Sequence, residues 1–441
     1  MARTVATLPA GSRITDYISL GVVTRFFPLE QVRKVLQETK RASIRERDLP
    51  AHVAVYYVIA LALYMHSSYG EVLRCLLEGM QWLLEPAAKL KVTGSSGISQ
   101  ARTRLGWEPL RRLHDEVVKP MAAKTTKGAW YRQWRLVSLD GSTLDVADEK
   151  SNVDAFGRPG ASRGESAYPQ IRFVSLAEIG THVLFGTQMD GYATSEIALS
   201  KKVLPSLEKG MLCLADRNFF GFQMWTQAAA TGADLLWRVK KNMRLVCEQR
   251  LPDGSYLSRI FPSEKDWRRK TNGVVLRVID YQLDGVADAE PLYRLVTTIL
   301  DHEKAPATAL AALYHERWEI ETAFDELKTH LRGAQRVLRS KTPELVEQEA
   351  WGFLLAHFAI RALMHEAALG ALPRARDPDT VSFTHTLRVT RRTLSHVAAI
   401  PPSRPDAPSA RPLVGAPGTV RRDRQLKPRA GRAARSQTQN E

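Results

Sequence analysis

The sequence predicts an α/β chain in which an all-α segment precedes a layered α/β domain, and a run of strands interrupts that domain. Three observations carry this. Between about residues 12 and 120, apolar residues recur with helical spacing in runs broken at Pro and Gly. From Trp130 to about residue 234, strand-like stretches alternate with helical ones, the pattern of a layered α/β fold. Between about 235 and 300, strand-like runs follow one another with turn signals between them.

In the first segment the helical runs are "LEQVRKVLQETKRAS", "DLPAHVAVYYVIALALYMHSS", "YGEVLRCLLEGMQWLL" and "SGISQARTRLGWEPLRRLHDEVVKPMAA". The most apolar stretch, "AHVAVYYVIALALYMHSS", is shorter than the ~20 residues of a membrane span, so it reads as a buried helix. Strands then begin with "WRLVSLDGSTLDVAD" and continue in "YPQIRFVSLAEIGTHVLFGTQM", two strands parted by Gly180. The helix "SEIALSKKVLPSLEKG", a strand ending in "MLCLAD" and the helix "FQMWTQAAATGA" complete this part. The runs "LLWRVKKNMRLVCE", "GSYLSRIF", "GVVLRVIDYQL" and "PLYRLVTTIL" read as a β insertion ahead of a helix. The expected division is 1–125 (helical), 126–234 (layered α/β, first part), 235–305 (β insertion), 306–395 (α/β, second part) and 396–441 (a basic, disordered tail).

With 441 residues, 44% of them hydrophobic, the chain is able to bury a large core. Cys75, Cys213 and Cys247 lie far apart, which suggests neither a disulfide framework nor a zinc knuckle. The first thirty residues carry no basic-then-apolar leader pattern, and a cytoplasmic location with no membrane partner is expected. A net charge of +16 and a pI near 9.8 favour a polyanion, nucleic acid above all. Residues 401–441 hold nine Arg/Lys against three Asp/Glu, or +6, so the remaining +10 belongs to the rest of the chain.

The stretch "YHERWEIETAFDELK" (314–328) shows why a helix would mix charge with aromatics. Wound at ~100° per residue, Tyr314, Arg317, Glu321 and Lys328 fall within one stripe about 60° wide. Leu313, Ile320, Phe324, Leu327 and Leu331 form the adjoining core-facing stripe. Glu316, Glu319 and Glu326 fall on the far side, with solvent as their expected partner, which leaves Glu321 as the carboxylate at the core's edge. Asp140 ends "WRLVSLD" and Asp216 ends "MLCLAD", both where an apolar strand emerges, the end at which open α/β sheets bind ligands. Three oxygen-only groups suit a hard cation, Mg2+ or Mn2+, and a pair of ions serves phosphodiester chemistry. Each residue also has a plainer use: Asp140 as a turn former, Asp216 as a helix cap, Arg317 and Glu321 as an i,i+4 pair.

Other signals are weaker. Asp145 and Asp148 are runner-up ligands, Asp145 being expected to face away from Asp140. "VTGSSGIS" lacks the Lys-Ser/Thr ending of a phosphate loop. His315 and His330 read as surface residues. Lys240, Lys241 and Arg244 form a basic group suited either to DNA or to solvent. Trp237 and Trp267 fit core packing better than stacking on an unpaired base.

The spacing Tyr314-x2-Arg317-x3-Glu321-x6-Lys328 resembles the Tyr-Arg-Glu-Lys signature of transposases of the insertion sequence four family. "SLDGSTLDVAD" and "LCLADRNFFG" resemble the segments that bring the first two acids of the DDE triad, and "FFPLEQVRKVL" and "SGISQARTRLG" resemble the family's N-terminal domain. The resemblance covers roughly residues 12–395. It implies that 1–125 binds DNA and that 126–234 and 306–395 form a ribonuclease H-like catalytic fold with a β-rich insertion, with Asp140, Asp216 and Glu321 as the triad. It also implies cut-and-paste transposition through cleavage and strand transfer, acting on the element's terminal repeats and on target DNA, with a homodimer on DNA. Tyr314 to Lys328 spans ~21 Å of helix axis, too long for one metal site. Arg317 and Lys328 are therefore expected to clamp phosphates, with Tyr314 donating to a terminal phosphate. A DNA-binding descendant that has lost its chemistry and a nuclease without strand transfer are the alternatives.

Overall fold

A computed structural model describes residues 20–44, 49–80, 94–160, 168–283, 290–334, 336–370 and 376–392. The tail expected at 396–441 lies outside them. A mixed sheet organises the chain: β1 (Trp130–Tyr131), β2 (Trp134–Asp145), β3 (Gln170–Glu178), β4 (Val183–Gly191), β5 (Met211–Ala215), β6 (Asp234–Arg238), β7 (Gln249–Arg250), β8 (Tyr256–Ile260), β9 (Val274–Tyr281) and β10 (Tyr293–Thr297). Its order is β4-β3-β2-β5-β6-β10-β9-β8-β7, with β1 paired to β2. β2, β5 and β6 run parallel, and the other pairings are antiparallel.

Two details refine the sequence reading. β6, grouped with the insertion on sequence, is the parallel neighbour of β5, and its Leu235, Leu236 and Trp237 are fully buried. A strand covered on both faces reads as a continuous apolar run, so periodicity gave no hint that it was central. The later strands extend the same sheet, β10 pairing with β6. Asp140, in turn, does not end its strand. β2 continues to Asp145, paired with Gln170 of β3, but its parallel ladder with β5 stops at Leu139 opposite Ala215. Asp140 is thus the first residue of β2 beyond the end of β5.

Helices cover both faces. The Ala51–Leu63 helix, buried from Val53 onward because it is apolar all round, packs on the long Pro343–Leu369 helix. At the crossing, a Cβ on Gly352 would lie 2.8 Å from Val58 Cγ1 and 2.9 Å from the Val58 carbonyl oxygen, so this approach requires glycine. Arg102, buried among these helices, donates from Nε to Gln348 Oε1 (2.8 Å). The N-terminal helices therefore share one apolar core with one face of the sheet and the C-terminal helices. A second cluster on the opposite face joins Leu136, Leu214, Leu236, Ile279, Leu310 and Tyr314.

The segment 307–331 forms one rod of changing pitch. Ala307–Leu313 is α-helical, Tyr314–Trp318 tightens to a 3-10 helix, Glu319–Asp325 returns to α, and Glu326–Leu331 widens to a π-helix. The junction residues Leu313, Trp318 and Asp325 keep right-handed helical dihedrals, so the rod does not break. A 3-10 turn stacks residues i and i+3, which sets Tyr314 directly below Arg317. No helix among the described residues is long and apolar enough to cross a membrane.

Candidate active site

Parallel register fixes the first two acids. Leu139 and Ala215 are partners, so the next residues, Asp140 and Asp216, leave neighbouring strands at the same edge. The rod brings the third. Ser138 Oγ donates to the Arg317 carbonyl (3.4 Å) and the Tyr314 hydroxyl donates to the Ala215 carbonyl (3.1 Å), which pins the rod across the ends of β2 and β5. Arg317 then reaches both carboxylates: Nη1 donates to Asp140 Oδ2 (3.2 Å) and Nη2 to Glu321 Oε1 (3.0 Å). Its guanidinium also lies over the Trp318 ring (4.8 Å), and Nε is buried with no hydrogen-bond partner.

The three acids differ in setting. Burial pushes the Asp140 carboxyl up to about 6; the Gly141 N–H, at 2.8 Å, and Arg317 oppose this, while Glu196 and Glu321 add to it. Asp216 Oδ1 accepts from the Arg217 N–H (2.6 Å). The Glu321 side chain is 44% exposed. Glu196, at the start of the Glu196–Val203 helix, was not singled out by the sequence reading. It lies against Gly141, where a Cβ would be 3.1 Å from its Cγ, Cδ and Oε1. No spacing signal ties a helix-start glutamate at 196 to a strand residue at 141.

The expected DNA contacts are placed unequally. Tyr314 is corrected: it is buried, and its hydroxyl is already bonded to Ala215, because its ring packs into the apolar cluster on that face of the sheet. Arg317 makes the i,i+4 pair and extends it to Asp140. Lys328, half-buried, donates from Nζ to Ser142 Oγ (3.1 Å), and burial, then the neighbouring Arg332, lowers its pKa. Lys240 and Lys241 are exposed just beyond β6, at the same edge as Asp216. Lys241, Arg217 and Arg238 surround Glu290, and hydrogen bonding to Arg238 pulls its carboxyl below the usual range. Asp145 is held by Arg332 (3.4 Å) and Gln170 (2.7 Å), and Asp148 by Arg158 (2.5 Å). Trp237 is a core residue against Trp225, as expected.

A second correction concerns Glu319 and Glu326. Expected in solvent, both are buried, because the turn after β3 and the long C-terminal helix cover the far side of the rod. Glu319 Oε2 accepts from the Gly180 N–H (2.6 Å). A Cβ on Gly180, at φ +80°, would stand 2.6 Å from the Lys127 carbonyl oxygen, so only glycine brings this N–H so close. Glu326 meets His182 Nδ1 (3.3 Å), His357 Nε2 (3.1 Å) and Arg361 Nη1 (3.2 Å). Burial would raise the Glu326 carboxyl, but Arg361 and His182 hold it well below its ordinary range. For His182, burial and Arg361 push the pKa down; Glu326 and Asp379 outweigh both and lift it to about 9.

The geometry thus gathers three carboxylates at one sheet edge beside a buried arginine. The family described as Transposase DDE domain matches residues 133–359, just over half of the chain, and the family described as Insertion element 4 transposase N-terminal matches residues 17–115. The chain belongs to the insertion element 4 (IS4) family of DDE transposases. It is 26% identical over 383 residues to the "Transposase InsG for insertion sequence element IS4" of Escherichia coli (strain K12), covering 85% of this chain and 83% of that one. A cryo-EM structure of a piggyBac transposase synaptic complex with hairpin DNA aligns over 86% of this chain and 81% of that chain. Its identity of 12% and TM-score of 0.43 are too low to build on. As an IS4-family DDE transposase, this chain is an enzyme of DNA transposition that works with divalent metal ions. The oxygen-only donor set fits such an ion, and so does the burial that, with Glu196 and Glu321 nearby, keeps Asp140 hard to ionise.

Proposed function

We propose that Asp140, Asp216 and Glu321 hold two Mg2+ or Mn2+ ions, and that the chain cuts the ends of its own element and joins them to target DNA. The observation that carries this is the convergence itself. Two adjacent parallel strands present their acids at one edge, and the rod pinned there by Tyr314 and Ser138 adds Glu321. Bound divalent ions supply positive charge against the phosphodiester and activate water or a 3′ hydroxyl for attack. Arg317 fixes the rotamers of Asp140 and Glu321, and Trp318 and Ser138 in turn hold Arg317. Tyr314 serves by position, anchoring the rod to β5. Lys328, whose ammonium donates to the Ser142 hydroxyl, and the exposed Lys240 and Lys241 receive backbone phosphates.

In this reading the sheet with its flanking helices is a ribonuclease H-like core. The strands beyond β6 are its insertion, and the N-terminal helices recognise the terminal repeats. Two ends must be brought together, so the active species on DNA is a homodimer. The test is a joining assay with labelled element ends, Mg2+ and a supercoiled target. Joined product supports the reading, cleavage without joining indicates a nuclease, and binding without cleavage indicates a regulator.

A further inference from the structure

Behind the rod, opposite the catalytic edge, three side chains from separate segments converge: His182 from the β3–β4 turn, Glu319 from the rod and Asp379 from the Pro378–Thr380 turn. Each offers one ligand atom, and the three atoms lie within 4.8 Å of one another. His182 is 3% exposed, and its Nε2 has no hydrogen-bond partner among the described residues. That nitrogen points between Asp379 Oδ1 at 3.4 Å and Glu319 Oε2 at 3.6 Å. Ligand atoms on a tetrahedral ion with bonds of about 2.0–2.1 Å stand roughly 3.3–3.5 Å apart, so these separations suit a shared ion.

We propose that His182, Glu319 and Asp379 bind a divalent transition-metal ion, of which zinc is the natural probe, at a site separate from the catalytic carboxylates. The surroundings orient the donors as a metal site requires. His182 Nδ1 faces Glu326 Oε1 at 3.3 Å, which keeps one ring proton there and leaves Nε2 as the nitrogen that exchanges its proton for the ion. Glu326 is itself fixed by His357 and Arg361. Glu319 Oε2 is held by the Gly180 N–H, and Asp379 Oδ1 by Arg361 Nη2 (3.3 Å). Charge balances once the ion takes the place of the second His182 ring proton, which the surrounding carboxylates favour in the metal-free pocket. Glu319, Glu326 and Asp379 bring −3 and Arg361 +1, so with His182 and His357 neutral the net −2 is cancelled by one divalent ion. One nitrogen and two carboxylates suit zinc or a neighbouring ion better than Mg2+, which prefers oxygen alone. The Asp379 side chain, 35% exposed, provides the entry path. An ion here ties the β3–β4 turn and the Pro378–Thr380 turn to the rod two residues from Glu321, stiffening the element that carries the catalytic glutamate.

The test uses the full chain with Asp140→Asn, Asp216→Asn and Glu321→Gln together, so that the catalytic donors are neutral. After chelation the chain is dialysed against micromolar zinc, and retained metal is measured by elemental analysis. One zinc per chain is expected, with X-ray absorption at the zinc edge showing imidazole scattering and no sulfur. Adding His182→Gln or Asp379→Asn should remove that zinc. Asp379 lies at the rim, so its variant keeps the fold, checked by circular dichroism. No retained zinc, a zinc shell without imidazole, or the same stoichiometry in the Asp379→Asn chain overturns the proposal.

Discussion

The two sides of the rod from Tyr314 to Leu331 both carry glutamates and treat them in opposite ways. On the front, Glu321 is 44% exposed, and Arg317 is the one cation bonded to it among the described residues. On the back, Glu319 and Glu326 are 5% and 6% exposed, enclosed by His182, His357 and Arg361. A buried carboxylate persists only where partners compensate its lost hydration, and the back supplies a backbone N–H, two histidines and an arginine. The front leaves its acids under-compensated, which is why burial lifts Asp140 to about 6 and why a cation has a place there. The difference separates a side built to hold the rod from a side built to bind something that arrives.

The largest effect should come from the front. Asp140→Asn or Asp216→Asn should each lower end cleavage at least about a thousandfold, a loss of several kcal/mol in transition-state stabilisation, with DNA binding and melting temperature nearly unchanged. Cleavage assays beside thermal melts check this, and a variant that cuts normally leaves the triad. On the back, Glu326→Ala strands His182 and Arg361 in the interior and should cost about 3–5 kcal/mol of stability, read by chemical denaturation. A wild-type denaturation midpoint would show that the back cluster does not hold the rod.

Smaller effects sharpen the contrast. Lys328→Ala removes one charged contact, worth ~1.5–3 kcal/mol, and should slow strand transfer roughly ten- to a hundredfold without weakening the fold. Transposition at the parental rate would return Lys328 to an ordinary helix face. A control far from both sides is Glu347, whose carboxyl is pushed up to about 7 by burial and then by Asp190 and Glu344. Its unfolded value is near 4.5, so between about pH 4.5 and 7 the folded chain holds a proton that the unfolded chain has lost. Stability therefore falls as pH rises through that window. Glu347→Gln should melt higher than the parent at pH 8, with the gap closing by about pH 4; a gap independent of pH would remove this account of Glu347.

The front was legible in the sequence because its signals are local. An apolar strand followed by Asp is visible at Asp140 and Asp216, and Tyr314, Arg317, Glu321 and Lys328 lie on one short rod. Parallel register then does what no local pattern records, setting both aspartates at one edge. The back was not legible. Apolar periodicity shows which face of a helix meets other apolar groups, but not whether the remaining face is open, and here a turn and a 27-residue helix cover it. The place of Tyr314 is hidden for the same reason, since a hydroxyl that looks free on a helical wheel meets the Ala215 carbonyl only once β5 is in place. β6 was grouped with the insertion because a central strand and an added one are alike in composition.

The central claim, that one side of the rod performs the chemistry and the other holds the fold, is tested most directly on two glutamates two residues apart. Glu321→Gln and Glu319→Gln are each measured for end cleavage in Mg2+ and for melting temperature. The account predicts that Glu321→Gln melts with the parent and does not cut, while Glu319→Gln melts several degrees lower and still cuts at a permissive temperature. Cleavage by Glu321→Gln at the parental rate would contradict it.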